Sequence, residues 1–164
     1  MPNALVPLAS FTLTSAQATV VFAGIPSNGF RDLRLVVSAA TATEGNFFVR
    51  VNSDSGNNYA YVNMRGSGGG AQSSSAGSAS GFITNFTTGQ TAGEVGTNVY
   101  DFFDYAQTDK QKSVLVRNNH TGEVGALAGR WANTSAIISV TIYGNTPSGN
   151  FSAGSTFNLF GVIG

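Results

Sequence analysis

Residues 130–164 read RWANTSAIISVTIYGNTPSGNFSAGSTFNLFGVIG, and the fold turns on their pattern. Ile138, Val140 and Ile142 alternate with Ser139, Thr141 and Tyr143. A period of two sends successive side chains to opposite faces of a strand, here with one apolar face. The insert from Gly144 to Ser155 is dense in Gly, Asn, Pro and Ser, each suited to turns for its own backbone reason. A second run, Phe157 to Ile163, is almost wholly apolar, which predicts a strand tucked into a sheet. The expectation is a scaffold pair. Ile138, Val140, Ile142, Phe157 and Leu159 hold it together, Trp131 anchors a core or an interface, and Gly144–Ser155 offers a contact loop.

The same pattern extends upstream. Strands are expected over residues 5–14, 17–23, 30–39, 47–51, 59–64, 98–105, 113–118 and 123–131, with ordered chain restarting at 82–86. In the third of these, Leu33, Leu35 and Val37 face one way and Asp32, Arg34 and Val36 the other. Asn52–Asn58 reads as the turn of a hairpin between residues 47–51 and 59–64. Gly66–Gly81, GSGGGAQSSSAGSASG, is of low complexity and reads as a long mobile loop or a segment ordered only against a neighbour, because it has little apolar area to offset its ordering entropy. No window carries sustained helical spacing. About nine or ten strands at this spacing predict an all-β, jelly-roll-like antiparallel β-sandwich over residues 1–164 as one domain.

Composition narrows the function. A chain of 164 residues buries roughly 70% of its unfolded surface, enough for a true core. There is no cysteine, hence no disulfide framework and no thiolate chemistry. Lys+Arg and Asp+Glu stand at 8 each, and charged residues make up only 10% of the chain. A nucleic-acid partner or an electrostatic membrane contact would call for a basic excess. So few charges also imply that another subunit covers part of the surface. No apolar run approaches a membrane span, and MPNALVPLAS at the N-terminus lacks the pattern of a secretion signal.

Site chemistry is sparse. His120 is the sole histidine and falls in a turn, Asn118–Gly122, where an exposed position is expected. Asp101 and Asp104 are offset by three on a strand, so they point apart and make a poor acid–base pair; with Asp109 they read as a solvated edge or turn. Asn52–Asn63 has Asn52 and Asp54 at calcium-loop positions, but Asn63 stands where a bidentate Glu is needed. Gly66–Gly70 is glycine-rich without the Lys-Ser/Thr of a phosphate loop. Asn85, Asn119, Asn133 and Asn150 begin Asn-x-Ser/Thr triplets that matter only in a glycosylating compartment. Tyr59, Tyr61, Tyr100 and Trp131 could stack on a sugar, yet are expected mainly in the core or at a subunit interface. No catalytic, cofactor-binding or metal-ligating residue is assigned, and no enzyme activity is expected.

Phe22–Pro26 (FAGIP), Arg31–Val36 (RDLRLV), Arg50–Tyr59 (RVNSDSGNNY), Trp131–Ser139 (WANTSAIIS), Gly149–Ser155 (GNFSAGS) and Leu159–Gly161 (LFG) follow one another along the chain. In this order they resemble a group of small virion structural proteins of tailed bacteriophages, notably those of cyanobacteria and other marine or freshwater bacteria. The resemblance spans most of the chain apart from the Gly/Ser stretch. It implies a β-sandwich or jelly roll on the virion, of the capsid cement (decoration) type. The expected partner is then the major capsid protein, the expected assembly a homotrimer and the expected location the capsid surface. Related modules on tail fibres supply the alternative, a receptor-binding, host-glycan-binding role.

Overall fold

A computed structural model describes residues 5–43, 45–84, 91–144 and 150–164. Their secondary structure is all β, in twelve strands: β1 (Leu5–Thr12), β2 (Thr19–Ala23), β3 (Asp32–Ala40), β4 (Phe47–Val51), β5 (Tyr59–Ser67), β6 (Gly70–Ala79), β7 (Phe82–Thr84), β8 (Val95–Phe103), β9 (Lys112–His120), β10 (Glu123–Trp131), β11 (Ser139–Gly144) and β12 (Thr156–Val162). They form two antiparallel sheets. The large one runs β1-β12-β3-β8-β9-β10-β5-β6 and the small one β2-β11-β4-β7. This is the expected jelly-roll-like sandwich, with more strands than the nine or ten the sequence pattern counts.

Alternation builds the core. The β3 residues Leu33, Leu35 and Val37 are fully buried, and Tyr100, Phe102, Val114, Val116, Leu127, Trp131, Phe157 and Leu159 extend that face across the large sheet. Val20, Phe22, Phe47, Val49, Val51, Phe82, Val140 and Ile142 oppose them from the small sheet. Aromatic edges lock the layers, with Phe151 centred 5.3 Å from Phe47 and 4.9 Å from Phe157 in T-shaped contacts. Tyr59 meets Phe82 edge-on at 5.0 Å. Gly129 leaves room for Phe82, whose ring would lie 2.6 Å from a Cβ there.

Three expectations are corrected. First, Gly66–Gly81 is sheet rather than loop: it completes β5 and supplies β6, paired from Tyr59↔Ala79 to Ser67↔Gly70. An edge strand exposed on both faces needs no apolar alternation, because its backbone hydrogen bonds hold it. Second, β4 and β5 are not a hairpin. They lie in different sheets, and residues 52–58 carry the chain across the sandwich. The Tyr59 hydroxyl still touches β4, accepting from the Val51 amide at 3.1 Å. Third, Ile138 is 54% exposed, because β11 starts only at Ser139. Of the expected contact loop, Gly144–Ser155, residues 145–149 lie outside the described residues, while Phe151 and Ser155 within it are buried.

Candidate functional site

The crossing loop consumes the groups that would have ligated calcium. Asn52 and Ser53 adopt φ of 50° and 55°, and the Asp54 amide donates to the Val51 carbonyl at 2.9 Å, as in a turn with two left-handed central residues. Asn52 Oδ1 accepts from the amides of Ile138 (2.8 Å) and Ser139 (3.1 Å), and its Nδ2 donates to the Ala136 carbonyl. Asp54 accepts from Trp131 Nε1 at 2.7 Å, from the Gly56 amide at 2.8 Å and from Asn58 Nδ2. Burial pushes the Asp54 carboxyl up, but these donors outweigh it and hold it below the usual range. The loop is therefore a clamp on Trp131, whose side chain is core.

The other residues singled out by sequence are also structural. Tyr59 and Tyr100 are fully buried, so no exposed platform forms with Trp131. Burial pushes the Tyr59 hydroxyl up to about 12 and raises that of Tyr100, which shares a hydrogen bond with Thr84 Oγ1. His120 closes β9 and is not the exposed turn residue expected. Its side chain is largely covered, with Nδ1 3.7 Å from Glu94 Oε1. The Thr121 hydrogen bonds hold the Glu94 carboxyl below its usual range. Asp101 is covered rather than solvated, because Arg34 Nε pairs with it at 2.6 Å. Asp104, at φ 46°, pairs instead with Lys110 at 3.0 Å. Asn85 lies outside the described residues.

Lys112 carries no signal in the sequence pattern. It is fully buried, and its Nζ donates to the carbonyls of Gln107, Lys110 and Thr134. Burial lowers its pKa. The three carbonyls make the ammonium a strut between two loops. Among the described residues no group of three or more His, Asp or Glu could hold a metal.

What the molecule presents is surface. On the outer face of the large sheet Val62, Met64 and Val124 are 52%, 60% and 62% exposed. Register places Val62 opposite Ala128, itself opposite Leu115, and Met64 opposite Ala126, giving a continuous apolar strip. A shallow groove of about 410 Å³ runs beside it, lined by Ala60, Val62, Ser75, Gly77, Ala128 and Arg130. β6 is the free edge of this sheet. Its sequence, GAQSSSAGSA, has neither charge nor proline, the devices that usually blunt an edge. The opposite edge, β1, carries Pro7 and a register shift. On the outer face of the small sheet, Phe48 and Tyr143 are cross-strand partners with ring centres 6.0 Å apart. The Arg50 guanidinium lies 4.9 Å and 5.5 Å from the two ring centres. Alternation in FFVRV marks Phe48 and Arg50 as outward, but Tyr143 joins them only through the sheet register.

No family model matches the sequence, and no curated protein matches it. Among solved structures, the chain is similar to the galectin LEC-6 of Caenorhabditis elegans at 16% identity, covering 94% of this chain and 96% of that one, with a TM-score of 0.40. It is also similar to a marine PL-14 alginate lyase from Aplysia kurodai at 8% identity, covering 88% and 81%, with a TM-score of 0.36. Likeness at this level concerns the strand arrangement and carries no functional argument.

Proposed function

We propose that the protein is a virion structural protein, a capsid cement protein that lies on a phage head and bridges major capsid protein subunits. The observation that carries this reading is the large sheet's surface, where an uncharged free edge borders an exposed apolar strip. Burying surface is the whole task of such a protein, and Arg34, Arg65, Asp101, Lys112 and Glu123 are held in ion pairs or carbonyl contacts. The β6 edge, ten residues long, spans about 33 Å of unpaired backbone. Individual contacts of this kind are modest, and many copies on one shell multiply them. A homotrimer would match the local three-fold positions of an icosahedral head. Adding the purified protein to heads that lack it tests the reading: it should cosediment with them at saturating, near-stoichiometric occupancy. Failure to bind intact heads would end it.

The second reading, a tail-fibre or receptor-binding module for a host glycan, is supported by the Phe48–Arg50–Tyr143 cluster, since aromatic faces stack on sugar rings beside hydrogen-bonding groups. Glycan binding that is abolished by Tyr143→Ala, together with few copies per particle, would favour it over the cement role.

A further inference from the structure

The inner face of the large sheet turns polar toward the β9–β10 turn. One step beyond Tyr100, Val116 and Leu127, register aligns Asn98 with Asn118, Asn118 with Gly125, and Gly125 with Arg65. Asn63 lies on the same face of β5, two residues before Arg65. These positions belong to the core: Asn98 is 0% exposed, Asn63 1% and Glu123 7%. Gly125 makes the arrangement possible, since a Cβ there would stand 2.8 Å from Asn118 Oδ1. The Asn118 amide thus reaches over β10 toward β5. Arg65 and Glu123 close the group with an ion pair of 2.6 Å.

Within this group, both side-chain polar atoms of Asn63 and of Asn98, and Oε1 of Glu123, meet no hydrogen-bond partner among the described residues. Each amide offers two donors and an acceptor oxygen. Five such atoms left unpaired would cost as much as the whole net stability of an ordinary domain, so a polar guest must satisfy them. Its chemistry is constrained. Arg65 already neutralises Glu123, so the guest is neutral. It must donate to Glu123 Oε1 and to the amide oxygens, and accept from the two Nδ2 groups. It must also fit among side chains that are closed to solvent.

We propose that Asn63, Asn98 and Glu123 Oε1 belong to a buried hydrated stretch of the sandwich, where long-lived water molecules hydrogen-bond these atoms and the polar groups that lie between them. Water alone is neutral, donates and accepts at once, and is small enough to be enclosed. The site is independent of the capsid reading: it belongs to the sandwich whatever the outer surface binds.

Two readouts test it. In NMR spectra of the intact chain, the side-chain amide protons of Asn63 and Asn98 should show cross-relaxation with water of the sign that marks nanosecond or longer residence. A high-resolution crystal structure should place ordered waters about 2.7–3.2 Å from the same atoms. Asn98→Leu should remove the ordered waters beside β8 from the crystal structure, while the water signal at Asn63, three strands away, persists and the backbone spectrum keeps its dispersion. Should that variant fail to fold, Asn63→Ser, which retains a hydroxyl, should keep the signal at Asn98. Amides without water cross-peaks that pair directly with protein groups would overturn the proposal. Density for an ion or an organic molecule on these atoms would overturn it equally.

Discussion

Replacing Glu123 by leucine should be the most damaging single change in this molecule outside its apolar core. Arg65 and Glu123 pair at 2.6 Å, with side chains 8% and 3% exposed. Glu123→Leu leaves the guanidinium buried without its counter-charge, a loss of about 3–5 kcal/mol. For a chain of this length each kcal/mol lowers the melting temperature by about 2–4 °C, so the midpoint should fall by about 6–20 °C. Because the pair is shielded from solvent, the effect should persist at high salt. The double variant Arg65→Met/Glu123→Leu removes both charges and should return to within about 1–2 kcal/mol of the parent, since an apolar pair of similar volume often replaces a buried ion pair. Urea denaturation of the two single variants and the double variant closes the cycle. A Glu123→Leu cost below about 1 kcal/mol, or a double variant as unstable as the sum of the singles, would show that the two residues do not act as a buried pair.

Three further outcomes are expected. Tyr59 and Tyr100 keep their protons in the folded state above the ordinary tyrosine range, at about 12 for Tyr59, while the unfolded chain loses them near 10. The unfolded state therefore binds fewer protons above pH 10, and stability should fall from there toward pH 12 by up to about 1.4 kcal/mol per pH unit for each tyrosine. Urea midpoints measured against pH should show a shallower decline in Tyr100→Phe. Lys112→Met removes the donor shared by three carbonyls and should cost at least about 2 kcal/mol in thermal or urea unfolding. Met64→Glu places a charge on the exposed strip and should change stability by no more than about 0.5 kcal/mol while lowering capsid binding at least tenfold in a sedimentation assay.

Much of the sandwich was legible because its pattern is local. The alternation of Leu33, Leu35 and Val37, and of Val140 and Ile142, states which face is buried without reference to any partner. β6 was not legible, since a strand exposed on both faces has no such alternation and its composition matches that of a loop. The residues 52–58 read as a turn whether the next strand returns to the same sheet or crosses to the other. The choice rests on distant partners: Ile138 and Ser139 for Asn52, and Trp131 for Asp54, 77 positions away. Lys112 and the Arg65–Glu123 pair were hidden for the same reason. Their polar side chains occupy inward positions of strands, where the rule of apolar inside and polar outside points the wrong way. The Phe48–Arg50–Tyr143 cluster required the register between β4 and β11, which no single stretch contains.

Quantitative mass spectrometry of purified virions, paired with a reconstruction of the head, tests the cement role most directly. The expected result is a copy number comparable to that of the major capsid protein, with density for the sandwich on the outer shell at positions that join neighbouring subunits. A handful of copies confined to the tail, or absence from the particle, would contradict it.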